Sequence, residues 1–561
     1  MVKAQRILIY VLRHDLRLAD NPVFTAAAKA RDQFTHIIPL FVLNPIQYEL
    51  SGFLRPSEQS PFPEARSRIG HFWRCGPHRT KFLAESLFDL KKTLQKAGSD
   101  LVIRTGETHK VVRSIISALN CGDSEVKAVW MTRDFATEEL DEERRICKAL
   151  PSNVSFKVVD DESTLIYRKD VPYPISELPD VFTSFKKSVE PLRANAQEPI
   201  ESIPSVPPLP IGIPPQTAPF SIPEALDDFI KALQKPLLEK PDVPLIIFPE
   251  GTESAHPFIG GSRAAHERIS HLLSSGVASR YKETRNGLLG EDFSTKLSAY
   301  LAHGCISAAQ IHSALKKWED ENNDGKENKG TAAIRFELLW RDYMHFCLEK
   351  YGTDFFQLYG FGRKGRKMGG KEWRTPSSTD PGAQDAIGRW LAGRTSTGLI
   401  DAAQRELLLT GYMSNRARQN TASFLAGRLH IDWRLGAEWF ESMLIDYDCA
   451  SNWGNWAYVA GVGNDPRENR LFNPVKQAND YDPEGEYIRA WVEEARGIED
   501  VGCVWQLWKL HGEERKKRGI EDPLVKIEWS TEKGAKRHRR VKNENRSGGG
   551  RDPKKTTITV W

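Results

Sequence analysis

Residues 410–460 read TGYMSNRARQNTASFLAGRLHIDWRLGAEWFESMLIDYDCASNWGNWAYVA. Apolar residues recur there at helical spacing, with Phe424, Leu425 and Leu429 on one stripe and Trp439, Phe440, Met443 and Leu444 on another. Into these apolar helices the sequence sets Asn415, Arg416, Arg418, Gln419, Asp446, Asp448 and Asn452. Polar groups in such surroundings cost free energy unless something pairs with them. They can pair with each other or with a large polar cofactor. Arg418 is the natural partner of Asp446, each expected on a helix lining the same centre. Asn452 follows Asp448 by one helical turn, which puts both on one face. Four tryptophans, Trp433, Trp439, Trp453 and Trp456, share the stretch.

Outward from it, the 3.6-residue period fills residues 257–515 in segments such as SRAAHERISHLLSS, AAQIHSALKKWED and AAIRFELLWRDYMHFCLEKYG. Residues 320–330 (DENNDGKENKG) read as a polar loop. Upstream the pattern changes. RILIYVLR (6–13), HIIPLFVL (36–43), LVIRTG (101–106), AVWMT (128–132) and SFKVVD (155–160) are strand-like, with helical patterns at 80–97, 107–119 and 136–149. Asn21-Pro22 reads as an N-cap followed by proline at the first helical position. Strands alternating with helices imply a doubly wound, mostly parallel sheet. The expected organisation is an α/β domain over 1–165, a proline-rich interdomain connector over 166–256, an all-α domain over 257–515 and a basic tail over 516–561. Prolines crowd 199–223, where neither helix nor central strand fits. No GxGxxG follows the first strand, so the dinucleotide fingerprint is missing.

At 561 residues the chain is too long for one core. No run of about 18 apolar residues occurs, so no membrane-spanning helix is expected. The N-terminus lacks the pattern of a secretory signal or a transit peptide. Seven cysteines, an odd number with no CxxC pair, point to a reducing compartment. A soluble intracellular protein of nucleus or cytoplasm is the expectation. The net charge of +4 excludes little. Fifteen tryptophans suggest stacking, electron transfer or aromatic packing. The tail segment KGAKRHRRVKNENRSGGGRDPKK (533–555) reads either as solvated disorder or as an auxiliary nucleic-acid-binding segment.

Three motifs carry chemistry. In FSTKLSAYLAHGCIS (293–307), Ser294, Thr295, Lys296 and Ser298 precede a helical run, which fits an anion site or simple N-capping. In RFELLWRDYMHF (335–346), Glu337 and Trp340 are i,i+3, so a carboxyl and an indole share a face that could take a flat heterocycle. Glu337 and Arg341 are i,i+4 and could also be a surface ion pair. TEELDEER (137–144) is an acidic segment whose plain reading is a helix's first turn. No metal site is expected.

In order and spacing, TRN (284–286), TKLSAYLAHGCIS, ELLWRD, SNRARQ, DW (432–433), LIDYD and SNWGNW resemble the photolyase/cryptochrome family, most nearly its DASH branch. The resemblance covers residues 5–510. It implies an α/β domain that can hold an antenna chromophore and an all-helical domain that holds FAD. By correspondence Tyr281, Thr295, Lys296, Leu297 and Ser298 lie by the adenine–diphosphate part. Asn415, Arg418, Asp446, Asp448 and Asn452 surround the isoalloxazine and ribityl region, and Glu337 and Arg341 are further contacts. Asn452 matches the residue facing flavin N5, where plant photoreceptor cryptochromes resemble an aspartate and animal ones a cysteine. Trp456, Trp433 and Trp373 correspond to the electron-transfer chain, with Trp390 the rival of Trp373. Trp439 reads as core packing.

The resemblance further implies that Glu337 and Trp340 cradle a flipped pyrimidine dimer, and that Gln419 stands where duplex photolyases have methionine. The implied activity is blue or near-UV light-driven electron transfer from reduced FAD that opens cyclobutane dimers, chiefly in single-stranded DNA, with RNA a further candidate partner. A photoreceptor with vestigial repair is the alternative, and a non-photochemical single-strand binder a third reading. Methenyl-tetrahydrofolate is the implied antenna, with Glu139 and Glu142 as its contacts. A monomer is expected. GRTSTGLIDA (393–402) departs from the family's Gly-Tyr-Pro pattern ahead of Asp401.

Overall fold

In the computed structural model, residues 5–120, 124–160, 163–201, 203–361, 372–464 and 471–528 are described. The basic tail beyond Glu528 lies outside them. Five parallel strands form one sheet in the order β3-β2-β1-β4-β5, with β1 Gln5–Leu12, β2 His36–Leu43, β3 Val102–Thr105, β4 Ser124–Thr132 and β5 Ser155–Val159. β1 and β2 are buried along nearly their whole length, which is why they read as continuous apolar runs. β4 begins four residues earlier than its apolar run. Ser124, Glu125 and Lys127 are polar, yet the stretch pairs with the start of β1, Ser124 with Gln5 and the buried Val126 with Ile7. Asn21 caps helix Pro22–Lys29 as expected, its side chain accepting from Val23 N and Phe24 N.

The strand order reverses between β1 and β4. Ligands of doubly wound sheets sit beyond the carboxyl ends of strands at such a switch point. Here that crevice is walled on its far side by the helical part of the chain. Glu438 of helix Trp433–Met443 accepts from Ser67 Oγ (2.8 Å) and Gly70 N (2.7 Å), and Arg74 Nε donates to Glu441 (2.8 Å).

The expected connector is more structured than its composition suggests. It contains helices Phe182–Val189 and Leu226–Glu239, the second packed on helix Pro77–Lys96. Its proline run lies extended along the sheet, where carbonyls accept what strands cannot share. Pro208 O receives Ile37 N (3.0 Å), and Gln216 Oε1 receives Thr105 N (3.0 Å). A proline has no N–H to leave unpaired, so it suits this covering of the β3 edge. The loop expected over 320–330 shrinks as well, because helix Ala308–Asn322 runs into it and helix Lys329–Tyr351 starts with Asn328 as its cap.

Asp342 joins connector to helices, accepting from Leu165 N (3.0 Å) and Ile166 N (2.9 Å). Burial outweighs these hydrogen bonds and pushes its carboxyl up to about 7. A raised carboxyl favours the protonated fold, so its contribution to stability falls as pH rises from about 4, the unfolded value, to about 7. Between about pH 4 and 7 the Tm of Asp342→Asn is therefore expected to fall less than that of the parent chain. Equal slopes would contradict the assignment.

Candidate functional site

Helix Asn415–Ser423 starts from Ser414, whose Oγ accepts Ala417 N, and it is buried around nearly its whole circumference. Its polar residues therefore have to be satisfied inside the protein. Arg418 Nη2 donates to both oxygens of Asp446 (3.0 and 2.8 Å), and its Nε donates to Met413 O (2.8 Å). The pairing matches the sequence reading, but Asp446 is not on a helix. The preceding helix stops at Met443 and the next, Cys449–Ala460, is capped by Asp448, whose carboxylate accepts Ser451 N (2.7 Å). Residues 444–448 form the turn between them.

Asn452 Nδ2 donates to Ala437 O (2.9 Å), which fixes the amide's orientation and leaves Oδ1 as a buried acceptor with no donor. Asn415 Oδ1 is a second such acceptor. Orphaned buried acceptors call for a ligand that brings N–H or O–H groups. The isoalloxazine N–H groups and ribityl hydroxyls of FAD supply that chemistry, so the residues fit the cofactor.

The other expected contacts fall into separate groups. Ser294 (φ +68°) and Lys296 (φ +58°) make a left-handed turn around Thr295. Lys296 Nζ donates to Phe293 O (2.6 Å) and Tyr412 OH (3.1 Å), tying this turn to the 410–460 stretch. Thr295 Oγ1 accepts Leu297 N (3.4 Å), and Ser298 opens the short helix Ser298–Ala302.

The side chains of helix Lys329–Tyr351 point three ways. Glu337 pairs with Arg285, beside the buried Tyr281 phenol, which burial and the Glu337 charge push up. The neighbouring Asn286 accepts from Arg416 Nη2 (2.9 Å), and Arg416 Nη1 donates to Gln419 (3.0 Å). Glu337 and Gln419 are thus tied by two separate hydrogen-bond sets to the adjacent residues Arg285 and Asn286, which form one rim. Both lie in the TRN motif but carry no role in the sequence reading; the motif itself was the available signal. Trp340 is not on this rim. Its ring is 4% exposed and stacks on Phe182 at 3.5 Å, so the connector covers the aromatic plate. Arg341 turns away, donating to Ser163 O (3.0 Å).

Arg341 and Asp448 come together elsewhere, on a cavity of about 530 Å³ at the β1–β4 switch point. Arg13, Thr132 and Asp134 line one side, His345 and Trp453 the other. His345 Nε2 bonds Asp448 (2.8 Å). Burial alone would raise the Asp448 carboxyl, but His345 and Arg341 outweigh it and hold it well below the usual carboxylate range. Glu139 lines this cavity and is pushed up by burial and by Asp134. Glu142 does not line it; its carboxylate is engaged by Thr108 and by Asn44 Nδ2 (3.0 Å). His345 carries no role in the sequence reading; its place one turn beyond Arg341 was the available signal.

Trp456 is fully buried against Gly436, where a Cβ would collide with its ring at 2.1 Å. Gly436 lies one turn after Trp433 on the same helix. Trp433 meets Trp453 edge-on at 5.8 Å. Trp390 meets Trp456 at 6.4 Å but is 0% exposed, so it is no exit to solvent. Trp373 is partly buried and adjoins Arg374, which bridges Ile431 two residues from Trp433. Trp439 is a core residue, bonded to Gln404 (3.2 Å) and packed on Phe72. The loop before Asp401 is closed by that carboxylate, which accepts Thr395 N (2.7 Å) and Ser396 N (2.9 Å).

Residues 334–539 match the sequence model of the FAD binding domain of DNA photolyase, and residues 8–206 that of DNA photolyase. A Neurospora crassa protein named as a mitochondrial cryptochrome DASH is 44% identical over 94% of this chain and 75% of its own. The cryptochrome DASH of Xenopus laevis is 39% identical over 90% and 87%. The chain belongs to the photolyase/cryptochrome family, among the cryptochromes DASH.

The crystal structure of a Synechocystis cryptochrome superposes on this cryptochrome DASH with TM-score 0.76 and 34% identity, over 96% of this chain and all of that one. The helical part is an FAD-binding domain, and the chain is that of a photolyase-like enzyme. No helix among the described residues is long and apolar enough to cross a membrane.

Breaking a buried pair strands a charge and costs about 3–5 kcal/mol. Arg418→Leu is therefore expected to lower stability by that order in denaturant melts and to lose bound flavin on purification. Asp446→Asn with Arg418→Leu should recover part of the stability. If the single and double variants melt alike, the pair is not what holds this centre.

Proposed function

We propose that this cryptochrome DASH uses light to split cyclobutane pyrimidine dimers, chiefly in single-stranded DNA. The observation that carries the reading is the rim in which Glu337–Arg285 and Asn286–Arg416–Gln419 stand side by side. Bound FAD supplies light absorption and one-electron chemistry. The chain's own residues do the rest. Asn415, Asn452 and the Arg418–Asp446 pair hold the cofactor. The Asn452 carbonyl, with its amide nitrogen tied to Ala437, is an acceptor that keeps a proton at flavin N5. Tyr281 and the Thr295–Lys296–Leu297–Ser298 turn bind its remainder, with Arg341 and Asp448 closing the wall toward the cavity. Trp456 and Trp433 relay charge outward, with Trp373 as the exit.

On the substrate side a pyrimidine carbonyl accepts hydrogen bonds. Glu337 can donate only when it carries a proton, whereas Arg285 can always donate. The pair can therefore orient a carbonyl and stabilise negative charge that develops on the dimer. Gln419 is 2% exposed and already bonded to Arg416, so an apolar ring packs on it poorly. A loss of ~1.4 kcal/mol is tenfold in affinity. Flipping a dimer from duplex costs a few kcal/mol more, and much less from a single strand. Single-stranded substrate is thereby favoured.

The antenna of this proposal is a methenyl-tetrahydrofolate that would bind in the interdomain cavity, supported by Glu139 on its wall, a carboxyl that can donate when protonated. A nuclear or cytoplasmic site of action is part of the proposal, although the Neurospora crassa relative is named mitochondrial. A full-length fluorescent fusion found in mitochondria would overturn that part.

The photoreceptor reading is favoured by one observation, the covering of Trp340 by Phe182. An aromatic stack is worth about 0.5–1.5 kcal/mol. If Trp340 serves a dimer, Phe182→Ala should tighten dimer binding about two- to tenfold, and no change would favour the receptor. The direct test is illumination of the reduced holoprotein with dimer-containing oligothymidylate, single- and double-stranded. Thymine-band absorbance should recover on the single strand, and Glu337→Ala should slow that recovery. No recovery on either substrate would remove the repair reading.

A further inference from the structure

Outside the flavin site and the cavity, one surface feature is unsatisfied. Residues 245–248, Leu-Ile-Ile-Phe, are 66, 38, 85 and 45% exposed, the one run of consecutive exposed large apolar side chains among the described residues. The alternation is that of an extended strand. Leu245 and Ile247 face out, while Ile246 and Phe248 lean inward and Phe248 meets Trp491 at 6.1 Å. No backbone N–H of residues 245–248 donates a hydrogen bond within the described residues. Pro244 and Pro249 bracket the run and limit what could pair with it to about four residues.

The chain itself carries a segment of matching chemistry. Its last six residues, 556–561, read Thr-Thr-Ile-Thr-Val-Trp. β-branched and aromatic residues are the ones that suit a strand, and they follow a stretch, 533–555, made largely of basic and small residues. The geometry of attachment is favourable. Glu528, the last described residue, lies beside Asn473 at the start of helix Pro474–Tyr481. Helix Glu486–Trp491 comes next and ends at the residue that touches Phe248. The 27 residues 529–555 exceed in reach these two short helices, which rise about 1.5 Å per residue. The intervening segment is rich in Lys and Arg, and the exposed carboxylates of Glu239, Glu250 and Glu253, which flank the apolar run, are of complementary charge.

We propose that residues 556–561 dock on residues 245–248 of the same chain as an added strand, covering the exposed apolar run and satisfying its backbone. Main-chain pairing would give the affinity and the alternate side chains the register. Because the two segments are tethered, the effective concentration is in the millimolar range, so a weak pairing suffices.

Hydrogen exchange on the full-length holoprotein and on a chain lacking residues 556–561 tests this. Amides of residues 246–248 are expected to exchange at least tenfold more slowly in the full chain, independently of protein concentration. Ile247→Lys, at a position too exposed to disturb the core, should abolish that difference while leaving flavin absorbance unchanged. Equal exchange in the full and shortened chains would overturn the proposal. So would protection that grows with concentration alongside a dimer in sedimentation, which would identify a second copy as the occupant. None of these outcomes depends on repair activity.

Discussion

A buried ion pair is a poor source of stability, because desolvation of both charges offsets most of their attraction. Arg418 and Asp446 nevertheless sit at the centre of the helical half, and the positions of other site residues follow from them. The pair holds the turn 444–448 against helix Asn415–Ser423. That turn places Asp448 at the N-cap of helix Cys449–Ala460. The cap sets where the helix begins, and hence which of its faces Asn452 and Trp456 occupy. Displacing the turn would move the Asn452 acceptor and the Trp456 ring together.

Helix Cys449–Ala460 is also a shared wall. Asp448, Cys449, Ala450 and Trp453 line the cavity at the switch point of the sheet, whereas Asn452 and Trp456 do not. The residues that line the cavity and the residues Asn452 and Trp456 thereby occupy adjoining faces of the same three helical turns. Nothing more than the helical period is needed to separate the cavity-facing side chains from Asn452 and Trp456, and one helix keeps the two sets close. The cavity gathers arginines and carboxylates at the ends of β1 and β4, where a parallel sheet delivers loops rather than side chains of its core.

Much of this was legible in the chain. Apolar runs gave the strands because a sheet covered on both faces has no polar alternation. The start of β4 escaped because Ser124, Glu125 and Lys127 break the apolar run, although Ser124–Val126 pair with β1. Composition spoke only for the stretch where prolines crowd, 199–223, whose described residues hold no helix or strand; the helices on either side, Phe182–Val189 and Leu226–Glu239, left no such mark, and the second accommodates Pro236. At the site, Arg418–Asp446 was legible from charge and apolar surroundings. Arg285, Asn286 and His345 escaped, because hydrogen-bond partners distant in sequence leave no local period. The coverage of Trp340 by Phe182 could not be read at all, being a contact between segments more than a hundred residues apart.

The central claim is that the Asn452 carbonyl, oriented by its bond to Ala437, accepts a hydrogen bond from the flavin. Infrared difference spectra of the holoprotein between oxidised and reduced states test it most directly. The Asn452 side-chain carbonyl band, identified by its absence in Asn452→Leu, is predicted to move to lower frequency on reduction, when N5 gains its proton. A band that stays in place, or a difference spectrum identical in Asn452→Leu, would contradict the claim.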